Sequence, residues 1–238
     1  MSAPRSQVPA RRAARLVRTG GLAAGVLVLS AGCALRPGIA AQVDEETIDS
    51  GRVDDITAAV CEVEGPTYTS PLPLAALKGL VLQTLVDEQL AAEVAETYDV
   101  GPGSDFGDQQ REFAAQVADQ PEDVRDGYLA VLRAASYAQA IFTAAATEQL
   151  TSDGEDPADP AALERTVQGI RALAARDADI EISPRFGLAY VDGRLTADES
   201  GSVPASDSAI AAAASLSGDQ AADPGYAASL PADQVCGG

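Results

Sequence analysis

Apolar residues recur every three to five positions over most of the chain, and Gly, Pro and acidic clusters interrupt them. That rhythm predicts helices separated by short breaks. Val53, Ile56, Val60 and Val63 predict a short helix over 51–63, with Ser50 offering an N-cap hydroxyl and Gly65-Pro66 stopping it. A longer helix is predicted over about 73–98. Leu74, Leu77, Val81, Leu85 and Val94 form its stripe, and Leu80, Leu82, Val86 and Leu90 widen it. So broad a stripe implies burial on more than one side, which makes this the central helix. Phe106, Gln110, Phe113 and Val117 share a face over 106–119. Val124, Tyr128, Val131, Leu132, Ile141 and Phe142 mark a helix over 122–149, and Leu163, Val167, Ile170 and Leu173 mark one over 161–176.

Elsewhere the period changes. Two apolar ends around Asp44-Glu45-Glu46 predict a strand–turn–strand element, and 67–73 reads as a linker. Ile180-Glu181-Ile182-Ser183 alternates like a strand, and Asp192-Gly193 is a turn signal inside 188–195. From 196 to about 226 the chain is rich in Ala, Ser, Asp and Gly, and 196–238 is expected to be largely disordered. An Ala-rich helical turn or two is allowed at 208–215. The expected fold is mainly α, a cradle or bundle of five helices around the 73–98 helix. A minor sheet is expected to join the N-terminal strands to 180–183.

Composition narrows the chemistry. The chain has 36 acidic and 16 basic residues, a net charge of −20. That sign opposes nucleic-acid binding, which needs cations to neutralise phosphates. With no histidine, Ser-His-Asp and Cys-His catalysis and His-ligated zinc are excluded. Carboxylate chemistry stays open, but Asp54-Asp55 and Asp87-Glu88 read as solvated helix faces. Asp153, Glu155, Asp156 and Asp159 around Gly154 depart from the calcium-loop pattern and read as an acidic linker. No catalytic, cofactor-binding or metal-ligating residue is assigned, and no cofactor is expected.

The N-terminal segment has its own logic. Five arginines (Arg5, Arg11, Arg12, Arg15, Arg18) precede an apolar run over 20–32, and Ser30-Ala31-Gly32 lead into Cys33. The layout resembles a bacterial lipoprotein signal with its lipobox, although Ser30 stands where Leu is commonest. An ordinary signal peptide or a membrane anchor is the alternative; the run is short for a spanning helix, which takes about 20 apolar residues. The resemblance implies that 1–32 is a signal peptide, that Cys33 is lipidated and that 33–38 is a tether. The expected location is the extracytoplasmic face of the cell membrane. Removing 1–32 leaves 11 basic and 36 acidic residues, a net charge near −25. Docking on anionic lipid is then disfavoured, and attachment rests on acyl chains, at about 0.8 kcal/mol per buried CH₂. Abundant Ala and a preference for Arg over Lys suggest an actinobacterial-type envelope.

With Cys33 lipidated, Cys61 and Cys236 remain as a candidate disulfide in an oxidising compartment; two unpaired thiols, Cys61 buried in a helix, are the alternative.

A second resemblance rests on the order of these parts. The lipobox, the strand pair, Ser50-Gly51-Arg52-Val53-Asp54, Leu82-Gln83-Thr84-Leu85-Val86 in the long helix and a closing Ile182-Ser183-Pro184-Arg185-Phe186-Gly187 occur in sequence. Together they resemble the N-terminal chaperone segment of the SurA/PrsA group of extracytoplasmic folding factors, in its actinobacterial lipoprotein form. The resemblance implies a chaperone-like domain over 39–195. Pro184, Arg185, Phe186 and Gly187 are its most distinctive element and read as a structural motif, Arg185 pairing with a helix carboxylate and Phe186 plugging the core; direct ligand contact is the alternative. Members with prolyl isomerase activity carry a parvulin domain of roughly one hundred residues between their helical parts. Here the candidate insertion point, 151–160, is ten residues long, so isomerase activity is not carried over. The expected role is non-catalytic binding of unfolded or apolar segments of exported proteins. Phe106, Phe113, Tyr128, Tyr137 and Phe142 are the candidate lining of a client groove. The alternative is a scaffold lipoprotein with one dedicated envelope partner.

Overall fold

Five amphipathic stripes build the molecule. The computed structural model describes residues 36–191, 193–198, 207–216 and 224–237. The signal segment and Cys33 lie outside them, as do Asp192 and parts of the expected tail. The helices are α1 (Ser50–Glu64), α2 (Leu74–Tyr98), α3 (Phe106–Gln116), α4 (Glu122–Asp153) and α5 (Pro160–Asp177). The fold is mainly α, with short strands in small sheets.

Helix ends follow local chemistry. Asp159 caps α5, its carboxylate accepting the Ala161 N–H at 2.9 Å, and Pro160 fills the first helical position. α4 ends in a Schellman motif. Gly154, at φ +74°, donates to Thr151, and the Glu155 N–H donates to Leu150. Helix α4 therefore runs into the segment expected to be an acidic loop. Ser50 does not cap α1 as expected. Its hydroxyl and its N–H both donate to the Gly38 carbonyl, tying the helix start to the chain entering the first strand.

Strands β1 (Ile39–Val43) and β2 (Glu46–Asp49) form a hairpin, and β4 (Ile180–Ile182) pairs antiparallel on the other side of β1, with Ala41 opposite Ile182 and Val43 opposite Ile180. The two ends of the helical part meet there. The expected linker 67–73 ends in β3 (Leu72–Pro73), which pairs with β7 (Val235–Cys236). Strands β5 (Leu188–Val191) and β6 (Arg194–Ala197) make a hairpin turned at Gly193. The described parts of 196–238 are largely regular rather than disordered. Besides β6 and β7 they hold α6 (Asp207–Leu216) and α7 (Pro224–Ser229).

The core lies between α2 and α4. Leu82, Leu85, Val86 and Leu90 of α2 and Ile141, Phe142, Ala145 and Ala146 of α4 are fully buried. The centre is shared, because α4 packs against α1, α2, α3 and α5. Two stripe residues escape burial: Leu80 is 54% exposed and Leu173 46% exposed. The α1–α4 crossing is close because Gly127 lacks a side chain. A Cβ there would lie 2.7 Å from the Ala59 Cβ.

Candidate functional site

The sequence singled out five aromatics as groove lining, and the structure separates them. Phe142 is fully buried and belongs to the core, with the Arg171 guanidinium 4.9 Å over its ring. It lines none of the grooves along α4. Tyr128 is half-buried beside the end of α1, where its hydroxyl donates to Glu64. Burial, then that hydrogen bond and the nearby negative charge, push the Tyr128 phenol up to about 12. Phe106 and Phe113, on α3, and Tyr137, on α4, are half-buried. Phe106 meets Tyr137 edge to face, ring centroids 6.1 Å apart.

Helix α3 is the thin part of the molecule. It packs on α4, yet none of its own residues is buried. One hydrogen bond across the contact runs from Gln110 Nε2 to Ser136 Oγ at 2.9 Å. A groove of about 500 Å³ opens between α3 and the α4 residues Asp126, Leu129, Ala130 and Arg133. Another, of about 380 Å³, opens further along α4, between the Gly101–Gly103 loop and Ser136, Ala140 and Ala144. On the α1 side a trough of about 590 Å³ has an apolar floor that includes Ile56, Ala59 and Val124, with five acidic residues (Asp49, Asp55, Glu62, Asp123, Asp126) and Arg52 around it. The grooves follow one face of α4 from Asp126 to Ala144, about 27 Å at 1.5 Å per residue.

That face explains a property of α4. By length and composition it is apolar enough to cross a membrane, yet only 33% of its most apolar window is buried. Length and composition do not separate a spanning helix from one packed among others, and α4 is packed on four helices.

The remaining polar groups hold the fold. Asp54, read as solvated, pairs with Lys78 at 2.7 Å and with Arg185 at 3.6 Å. The Arg185 guanidinium also lies 5.3 Å over the Phe186 ring, and Phe186 is half-buried against the core. Pro184–Phe186 form a 3₁₀ turn, and Gly187 leaves it with φ +62°. Asp87 is not on a solvated face. Its side chain is 13% exposed, accepts from Gln83 at 2.8 Å and lies 3.4 Å from Arg171. Burial raises its carboxyl, against the lowering effects of Arg171 and Gln83. Gln83 also accepts the Leu195 N–H, so this cluster fastens the β5–β6 hairpin to α2 and α5. The Tyr190 hydroxyl is buried beside it without a well-directed hydrogen bond, and its phenol is pushed up to about 12, first by burial and then by Asp87.

In the acidic segment two of the carboxylates are occupied locally: Asp156 accepts the Ala158 N–H and Asp159 caps α5. Among the described residues no group of three or more His, Cys, Asp or Glu is placed to hold a metal. Cys61 and Cys236 lie at disulfide-bonding distance, Cα atoms 5.4 Å apart and 175 residues apart in sequence.

Of the five aromatics, Phe106 lines one of these grooves, and Phe113 and Tyr137 line none of the three. Sequence reasoning missed Leu129, Ala130 and Arg133, and the signal was there: α4 is more apolar around its circumference than a helix with one buried side requires. Compared with protein-family models, curated proteins and solved structures, the chain matches none.

Proposed function

We propose that the chain is a lipid-anchored, non-catalytic, chaperone-like protein on the extracytoplasmic face of the membrane. It holds exposed apolar segments of exported polypeptides, in the manner of the SurA/PrsA group that its sequence resembles. One observation carries the binding part: grooves run along a face of α4 that the thin helix α3 only partly covers, where Phe106, Leu129 and several alanines lie among polar side chains. Water-excluded apolar surface is the usual stabiliser of such contacts, at roughly 25 cal/mol per Å² removed from water before ordering costs. The lipobox before Cys33 supports the address.

The test is suppression of aggregation of a chemically unfolded client at substoichiometric and equimolar ratios. Suppression at equimolar chain without any ATP or catalytic turnover is expected. Absence of both suppression and binding to unfolded polypeptide overturns the proposal. A single dominant crosslinked envelope partner without general client binding would favour the dedicated-scaffold reading, to which the acidic α1–α4 trough is suited.

A further inference from the structure

We infer that Cys61 is a thiol-exchange site: its Sγ is where a neutral or cationic thiol enters the Cys61–Cys236 pair, and that attack unfastens the end of the chain. The inference does not depend on the chaperone reading.

The two sulfurs are not equally open. Cys236 is 0% exposed. Cys61 is half-buried and lines a groove of about 430 Å³ with Glu62, Gly65, Pro66, Tyr68 and Gly237; Cys236 is not part of that lining. Close packing accounts for the difference. A Cβ on Gly237, which sits at φ +75°, would lie 2.6 Å from the Gly65 carbonyl oxygen and 3.0 Å from the Tyr68 Cβ. A Cβ on Gly65 would lie 3.4 Å from both Cys236 Sγ and the Gly237 nitrogen. The last residues are thus pressed onto the end of α1 and close over Cys236. Exchange proceeds at the sulfur a thiolate can reach, which here is Cys61.

The step is a displacement. The thiolate forms a bond to Cys61 Sγ as the bond between Cys61 and Cys236 breaks, and Cys236 leaves as a thiolate that takes a proton from water. A second thiol then attacks the mixed disulfide. Cys61 returns to a thiol, and the two entering thiols leave joined as a disulfide.

The groove also selects among thiols, because the attacking species is an anion. Of the six lining residues the charged one is Glu62. Glu64 stands close by, accepting from the Tyr128 hydroxyl, and its charge, after burial, raises the Tyr68 phenol. Cys61 itself lies in the last turn of α1, the negative end of that helix. An attacking group that carries a positive charge beside its sulfur offsets this field, and one that carries a second negative charge adds to it.

Little else holds the end of the chain. The β3–β7 ladder pairs two residues on each side, and Pro73 has no N–H to give it. Upstream, Ala227 of α7 is buried at 1% exposure, so the part released is 230–237.

Full-length chain carrying Cys33→Ala, so that no third thiol competes, is treated with cysteamine, mercaptoethanol or mercaptoethanesulfonate at matched thiolate concentration. It is quenched in denaturant with excess N-ethylmaleimide and peptide-mapped. Untreated chain should take up no maleimide; free thiols at both positions overturn the inference. After brief treatment, mixed disulfide on Cys61 with maleimide on Cys236 should exceed the reverse pattern at least about tenfold. An equal or reversed pattern overturns the site, as does a bond that resists all three thiols until the chain is unfolded. Cysteamine should react about fivefold or more faster than mercaptoethanesulfonate at low salt, with the gap closing near about 1 M salt and narrowing in Glu62→Gln. Equal rates at low salt overturn the charge selection. Amide exchange within 230–237 should rise at least about tenfold on reduction while Ile141–Leu150 stays protected. Unchanged protection of 230–237 overturns the unfastening.

Discussion

At the scale of single residues, two glycines on neighbouring helices should respond in opposite ways to the same change. Gly127 faces the Ala59 Cβ at a distance no real Cβ tolerates, whereas Gly169 on α5 faces open space. Alanine in place of either gains about 1 kcal/mol of helix propensity. At 169 that gain stands alone, so Gly169→Ala should raise the unfolding free energy by about 0.5–1 kcal/mol. At 127 overpacking, typically about 1–3 kcal/mol, exceeds it, so Gly127→Ala should lower stability. Urea unfolding of both variants checks the pair. Glu93 gives a pH signature. Glu93 is exposed, but partial desolvation of its carboxyl first, then Asp44 and Glu96, push it from 4.5 up to about 7. The folded state thus keeps a proton that the unfolded state releases. The resulting stability is fully present below about pH 4.5 and is lost as pH rises through about 7. Glu93→Gln should flatten that slope in melts between pH 5 and 8; an unchanged slope removes Glu93 as the cause. None of this was legible in the sequence. A glycine's neighbours and a carboxylate's partners lie far along the chain, as with Asp87 and Arg171, 84 residues apart.

At the scale of elements, the five helices were legible because their stripes are periodic and Gly or Pro punctuates them. Helix α4 overran its expected end because the polar run Thr151–Asp153 carries no breaker, and Gly154 acts as a stop only through its left-handed backbone. The strands β3 and β7 were not legible, since two residues carry no period. Their pairing and the Cys61–Cys236 pair fasten the end of the chain beside α1 and α2, while α6 packs on α2 and β6. Loop closure over 175 residues gives about 5 kcal/mol as an upper figure for the bond. Cys236→Ser should therefore lower the midpoint of unfolding and release Tyr226–Val235 to limited proteolysis, while α2 and α4 stay protected. Simultaneous loss of protection throughout would instead make the tail an integral part of the core. The seat of α3 escaped the sequence for another reason. Its stripe reads like that of a core helix, and periodicity does not say how deep the opposite surface is.

For the whole molecule, charge and anchoring act together. If 1–32 are removed, as proposed, the chain would carry a net charge near −25 and be repelled by anionic headgroups, so the proposed lipid on Cys33 would be its membrane attachment. Cys33→Ala should shift the chain from the membrane fraction to the soluble extracytoplasmic fraction. Retention in the membrane with the signal removed would end the lipoprotein reading. Fold class was legible at this scale, because a mainly helical rhythm needs no long-range information. The topology was legible in part: the 180–183 strand was expected beside the N-terminal pair, and β4 lies on β1.

The long span between Cys61 and Cys236 also sets a schedule. Delivered at the speed of synthesis, about 5–20 residues per second, the chain keeps Cys61 waiting roughly 9–35 s for its partner. During that interval the nearest competing sulfur is Cys33, only 28 positions upstream. The proposed thioether at Cys33, if formed before Cys236 arrives, would take that sulfur out of exchange chemistry. Acylation would then act as a proofreading step for cysteine pairing as well as an anchor. Chains made without it, but with Cys33 left as a thiol, should accumulate a Cys33–Cys61 isomer, visible as a faster band on non-reducing gels.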